Sequence, residues 1–207
     1  MVARPVIDKK GLLVAWPSDA VLELGCGNRK RTANAIGIEN RDFDGVDIVG
    51  DVVDVLQRIP DESVNAIHSF HFLEHIAELQ RLIDELARVL TIGGQLNVVV
   101  PHFSNPYFYS DPTHRTPFGL YSFCYFANCE LFRRSIPKYR RKCQFTLHAV
   151  RLGFKAARPF YGRYALRRVI GALFNSSYYM KELYENTFSP FIPCYEIAYE
   201  LTRIRDS

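Results

Sequence analysis

Short apolar runs and one longer amphipathic stretch alternate between about residues 20 and 100. The runs at 20–24 (AVLEL), 35–39 (AIGIE), 46–50 (VDIVG), 64–69 (VNAIHS) and 95–100 (QLNVVV) have the length and composition of buried strands. Between the last two, Leu79, Leu82, Ile83, Leu86 and Leu90 recur at helical spacing, with Arg81, Asp84, Glu85 and Arg88 on the opposite side. Gly93 is the expected stop of that helix. Further along, 145–150 and 195–202 alternate as strands do, and Leu166, Val169, Ile170, Leu173 and Phe174 form a helical stripe edged by Arg163 and Arg167. Apolar strands separated by helices predict an α/β fold, a mostly parallel sheet with helices on both faces.

The composition supports one ordinary globular domain. The chain has 207 residues, 48% of them hydrophobic and 23% charged, which excludes a disordered or collagen-like polymer. No run approaches the roughly 18 apolar residues of a membrane span, and the first ten residues lack the apolar core of a secretory signal. Cys26, Cys124, Cys129, Cys143 and Cys194 are odd in number and form no CxxC pair, so they read as reduced thiols of a cytoplasmic protein.

Candidate chemistry begins where the first strand ends, at Glu23-Leu24-Gly25-Cys26-Gly27-Asn28. Two glycines one residue apart let the backbone turn sharply and approach a ligand closely. In a parallel sheet, ligands sit beyond the carboxyl ends of the strands. Glu39 ends the second strand, where a carboxylate can accept ribose hydroxyls, and Asp51 follows the third, where it can accept an adenine amino group. A plain strand-to-helix turn would use the same two glycines.

The runs VLELGCGNRK, IGIEN, GVDIVGDV, IPDESVNAIHSFHFLEHI, LARVLTIGGQLNVVVP and DPTHRTPF together resemble the class I S-adenosylmethionine-dependent methyltransferases. More narrowly, they are similar to the small bacterial methyltransferases of surface-polysaccharide biosynthesis. The resemblance covers roughly residues 18–130, with YEIAYELTRI as a closing strand. It implies a Rossmann-like fold with a seven-stranded sheet and S-adenosylmethionine as cofactor. Within 1–207 it divides a cofactor-binding core (18–130), a basic helical acceptor-side insertion (131–190) and a closing strand (191–207). By position, Glu23, Gly25, Cys26 and Gly27 would surround the methionine part, Glu39 the ribose, and Asp51 with Val52 the adenine. Ser69, Phe70 and His71 would face the methyl-donor side. The chain departs from the family pattern where a third glycine is replaced by Asn28-Arg29-Lys30, and only eleven residues separate Gly27 from Glu39. The first helix must therefore be cut short, and Asp42 or Asp44 is an alternative to Glu39. The missing glycine also disfavours a phosphate-bearing dinucleotide.

Methyl transfer to a hydroxyl gains from a general base with a pKa near neutrality, most often histidine. His114, oriented by Asp111 in DPTHR, is the first candidate; His102 and His71 are the alternatives. His71 and His75 flank Glu74 in HFLEH, a spacing that could hold a metal; without HExxH or a further ligand pattern, no metal is assigned. Asn105-Pro106-Tyr107-Phe108 looks like the amine-holding loop of nucleic-acid N-methyltransferases but follows the wrong strand, so it reads as pocket wall or lid.

Charge is uneven. Residues 1–132 carry 11 Lys and Arg against 17 Asp and Glu, and residues 133–207 carry 15 against 5. From Arg133 to Arg168 there are 12 basic residues and no acidic one, interleaved with Tyr139, Phe145, Phe154, Phe160, Tyr161 and Tyr164. Such a segment suits an anionic acceptor, and the expected partner is a glycan or lipid-linked sugar. Peripheral contact of 133–174 with anionic lipid at the inner membrane face is compatible with that reading. The expected reaction is O-methylation of a sugar hydroxyl of an O-antigen or lipopolysaccharide type glycan. The alternatives are RNA methylation through the basic segment and a non-catalytic cofactor-binding subunit of a glycan-synthesis complex.

Overall fold

The computed structural model describes residues 5–137, 144–155 and 161–205. Among them are nine strands in one sheet: β1 (Ile7–Asp8), β2 (Ala20–Leu24), β3 (Ile36–Glu39), β4 (Ile48–Val49), β5 (Val64–Phe70), β6 (Leu90–Pro101), β7 (Ala127–Asn128), β8 (Phe145–Gly153) and β9 (Glu196–Arg203). Their order is β1-β4-β3-β2-β5-β6-β9-β8-β7. The pairs from β4 through β6 are parallel; β9 lies antiparallel between β6 and β8. Two strands beyond the expected seven come from the two-residue pairings of β1 with β4 and β7 with β8, which are too short to show periodicity.

The central strands are apolar throughout because both faces are covered. Leu22, Leu24, Ile38, Ile67, Leu96, Val98 and Val100 are fully buried. Helix α1 (Val52–Leu56) follows β4, and α2 (Leu79–Val89) links β5 to β6. The α2 stripe of Leu79, Leu82, Ile83 and Leu86 is buried as its spacing predicts. On its outer side, the Arg88 guanidinium donates to the Leu56 and Ile59 carbonyls and pairs with Asp61 and Glu85, tying α2 to the end of α1. Gly93 is not the helix stop. Leu90 already turns extended, because its buried side chain pairs opposite Val64, and Gly93 (φ +85°) sits in a bulge of β6.

After β8 come α3 (Tyr161–Phe174) and α4 (Tyr178–Leu183), the latter running into a π-helical turn over Tyr184–Phe188. The α3 stripe divides. Phe174 is buried and Ile170 packs on the core, whereas Leu166, Val169 and Leu173 are exposed. Tyr139, Cys143, Phe160 and the side chains of Tyr161, Arg163 and Tyr164 lie outside what is described. No described helix is long and apolar enough to cross a membrane.

Among the parallel strands β2 to β6, chain order reverses once. From β2 the chain steps outward to β3 and β4, then returns to the other side of β2 as β5 and continues to β6. The crevice between the carboxyl ends of β2 and β5 is therefore where a ligand site is expected.

Candidate functional site

A cleft of about 590 Å³ opens at that reversal, lined by Glu23, Gly25, Cys26, Gly27, Arg31 and Phe70 among others. Gly25 (φ +63°) and Gly27 (φ +58°) both occupy the left-handed region. At Gly25 a Cβ would also come within 2.5 Å of the Phe72 ring, so the turn after β5 packs directly on the glycine loop. Among the described residues no helix follows this loop before β3. Side chains hold it instead. The buried Glu23 carboxylate accepts from the Arg31 and Thr32 backbone N–H groups at 2.6–3.0 Å. Glu39 Oε2 accepts from the Gly27 N–H at 3.0 Å.

The basic residues that replace the third glycine divide between support and cleft. Lys30 Nζ reaches the buried Asp47 at 2.6 Å and the Ala35 carbonyl at 2.8 Å. Burial raises the Asp47 pKa, but donation from Lys10, Lys30 and the Gly37 N–H outweighs it and holds the carboxyl below the usual range. The Arg31 guanidinium lies over the Phe70 ring, 5.1 Å from its centroid, in the cleft wall. Burial, with the Glu39 and Glu23 carboxylates, pushes the Cys26 thiol up to about 11, so it lines the cleft as a neutral group.

Of the carboxylates proposed for the ribose, Glu39 is the one fixed against the glycine loop. Asp42 is exposed and pairs with Lys9, and Asp44 is also exposed. Asp51 caps α1, accepting from the Val53 and Asp54 N–H groups, with Val52 buried behind it. Ser69, at the end of β5, is fully buried, and its hydroxyl has no hydrogen-bond partner among the described residues. An orphaned hydroxyl, a backbone cradle and two strand-end carboxylates fit a nucleoside bearing an amino-acid tail.

The histidines separate into different roles. His102 is completely buried. Its Nδ1 accepts from the Ser104 N–H, and its Nε2 lies 3.1 Å from Glu185 Oε2. With both nitrogens engaged it braces the loop after β6 and does not face an acceptor, contrary to expectation. His71 (φ +55°) lies 3.3 Å from Glu196 and 3.7 Å from Glu74. Hydrogen bonding to Glu196 and then Glu74 raises its pKa to about 9, so at neutral pH it is a cation and not a proton acceptor. His114 donates from Nδ1 to the Phe108 carbonyl at 2.8 Å, which leaves Nε2 to carry its lone pair. The orienting group is therefore that carbonyl; Asp111 approaches Nε2 only to 3.7 Å. Asp111 Oδ1 is taken by the Thr113 N–H and hydroxyl, and Thr113 donation holds this exposed carboxyl below its usual range. The Asn105 amide is consumed internally by the Tyr195 carbonyl and the Tyr107 N–H, so the NPYF segment holds no amine.

Beyond the carboxyl end of β6, a second cleft of about 700 Å³ is lined by Phe103, Tyr121, Tyr179, Arg133, Arg134 and Glu182 among others. Arg133 lies over the Tyr179 ring and Arg134 over Tyr121. Neither pairing was legible in the sequence, because each joins residues 13 or more apart, in one case a loop arginine and a tyrosine of α4. Arg31 was visible only as one charge in the NRKR run.

In sequence, residues 22–98 match the methyltransferase domain family. No curated protein matches the chain. In structure it is similar to a SAM-dependent methyltransferase from Archaeoglobus fulgidus (TM-score 0.54, 17% identity, 89% of this chain and 86% of that one). It is similar also to the YcgJ protein of Bacillus subtilis (0.51, 15%, 92% and 94%). A third is the geranyl diphosphate C-methyltransferase of Streptomyces coelicolor A3(2), solved with Mg2+, geranyl diphosphate and S-adenosyl-L-homocysteine (0.53, 15%, 91% and 73%). These likenesses establish the Rossmann-like fold of class I methyltransferases.

Proposed function

We propose that this chain is an S-adenosylmethionine-dependent methyltransferase and that it O-methylates a sugar hydroxyl of an anionic bacterial surface glycan. The observation that carries the reading is the second cleft: Arg133 and Arg134 are held over the Tyr179 and Tyr121 rings as charges for a phosphate or carboxylate, and the exposed remainder of Tyr179 offers apolar surface to a sugar ring. That cleft follows β6, on the same sheet edge as the glycine loop after β2.

The cofactor supplies a methyl already made electrophilic by its sulfonium: the acceptor oxygen forms the new C–O bond as the C–S bond breaks, the electron pair stays on sulfur, and the hydroxyl proton is released. The chain's task is alignment and proton removal. Gly25 and Gly27 would cradle the cofactor, Glu39 and Asp51 would hold its ribose and adenine, and Ser69 and Phe70 would close the methyl side. His114 Nε2, left open by donation of Nδ1–H to the Phe108 carbonyl, takes the proton. The exposed apolar edge of α3, Leu166, Val169 and Leu173, favours delivery from a membrane surface, where a lipid-linked acceptor would reside.

The test offers labelled S-adenosylmethionine to lipid-linked saccharide and polysaccharide fractions and, separately, to total RNA. Label in the saccharide, reduced in Arg133→Ala and Arg134→Ala, is expected. Label in RNA alone overturns the reading.

A further inference from the structure

The fold brings His114 to the HFLEH turn. A carboxylate oxygen of Glu74 and one ring nitrogen each of His75 and His114 all lie within 4.8 Å of one another. The two rings are 4.9 Å apart between centroids. Glu74 is 1% exposed, and its Oε2 has no hydrogen-bond partner among the described residues. His71 approaches only the other oxygen, Oε1, at 3.7 Å, and a buried carboxylate oxygen left unpaired is costly unless a further positive group completes it.

The imidazoles are set as ligands are. Thr113 Oγ1 gives its hydrogen to Asp111 at 2.6 Å, so it accepts from His75 Nδ1 at 2.9 Å. The Phe108 carbonyl accepts from His114 Nδ1 at 2.8 Å. Each ring thus donates one N–H to a fixed oxygen and keeps its Nε2 lone pair free, the arrangement that orients metal-bound histidines. The Glu74 carbonyl accepts from the Arg115 and Thr116 N–H groups, which fixes the two segments to each other.

We infer that Glu74, His75 and His114 form a site for one first-row divalent cation. Two imidazoles and one carboxylate select a transition ion such as Zn2+, Co2+ or Mn2+ over Mg2+ or Ca2+. Three protein ligands leave coordination positions open. The site lies on the turn whose Phe72 packs against Gly25, and Phe70, just before that turn, lines the cofactor cleft.

Resting on the hydroxyl-acceptor reading, the inference gives the cation a role. With a cation bound, an acceptor oxygen in an open position would be more acidic and would lose its proton to solvent as the C–O bond replaces the C–S bond; His114 would then serve as ligand, and as base only in the metal-free site.

Co2+ titrated into the full chain, followed by calorimetry and visible absorption, tests this. One bound equivalent is expected, with nitrogen–oxygen ligand-field bands and no thiolate charge-transfer band. His114→Ala and Glu74→Gln should lose it while still binding S-adenosylhomocysteine, and Thr113→Val should weaken it about tenfold. His114 is less deeply buried than Glu74, so its variant carries the test if Glu74→Gln does not fold. No cobalt bound by the wild type, or undiminished binding by His114→Ala, overturns the site and leaves His114 as a free base. Cobalt bound without methylation of any saccharide overturns the acceptor reading alone.

Discussion

The Gly27 N–H donates to Glu39 Oε2 at 3.0 Å, which locks the carboxylate at the end of β3 onto the loop that follows β2. Glu39 therefore shapes the cradle, and under the proposed function its remaining lone pairs would accept from a ribose. Glu39→Ala should weaken S-adenosylhomocysteine binding about 10–100-fold, the loss of one or two hydrogen bonds to a charged group. Asp42→Ala, out at Lys9, should leave it unchanged. Isothermal calorimetry on the two variants decides between these carboxylates.

Gly25→Ala meets two obstacles, a positive φ and the Phe72 ring 2.5 Å away. Left-handed strain costs about 1–2 kcal/mol, and overpacking adds about 1–3 kcal/mol. The unfolding midpoint should fall and cofactor binding should be lost. In Gly25→Ala/Phe72→Ala only the packing part should return. Gly27→Ala, with open space around it, should show the strain alone.

Arg88→Leu keeps an apolar stem but leaves the Leu56 and Ile59 carbonyls without their donor. Chemical denaturation should report a loss of about 1–3 kcal/mol, with cofactor affinity unchanged because the contact lies away from the cleft.

The His71–Glu196 pair sets a pH window. His71 rises from 6.5 to about 9 on folding, so its contribution is complete below pH 6.5 and is lost as pH climbs through about 9. For Glu196, burial raises the pKa, but His71 and Lys155 outweigh it and hold it below 4.5, so its contribution is present above pH 4.5 and lost in acid. Among His71, Glu74, Glu196 and Lys155, the pair should be most stabilising between pH 4.5 and 6.5. Denaturation midpoints of the metal-free chain should decline from pH 6.5 to 9, and His71→Gln should flatten that decline.

Cys124 donates its S–H toward Cys129, which lowers the Cys129 thiol to about 7 and raises that of Cys124. Burial raises both Cys26 and Cys194. Among these four, Cys129 should be alkylated first at pH 8. Peptide mass spectrometry after brief iodoacetamide treatment checks it, and prior labelling of Cys26 would contradict it.

Patterns carried by periodicity were legible. The strand at Ala20–Leu24 has the expected bounds, and α2 buries the stripe its spacing predicts. What could not be read depends on distant partners. Gly93 looks like a helix stop, yet Leu90 leaves the helix early because β5 offers Val64 as a pairing site. His102 looks like a residue facing a pocket, but its neighbour Ser104 engages one ring nitrogen and Glu185, 83 residues away, engages the other. The turn after β2 was visible in its glycines; its support by Lys30 and Asp47 was not, since nothing local distinguishes that lysine from its neighbours.

The stretch from Gly25 to the start of β3 has a consequence for how binding strength can be altered. Where a helix begins after such a loop, its aligned peptide groups supply positive potential to a bound carboxylate, and no substitution can delete them. Here that potential falls to exposed Arg29 and Arg31 at the cleft. Retention of an anionic ligand there would rest on removable groups, so single codon changes at two positions would retune it without disturbing the sheet beneath.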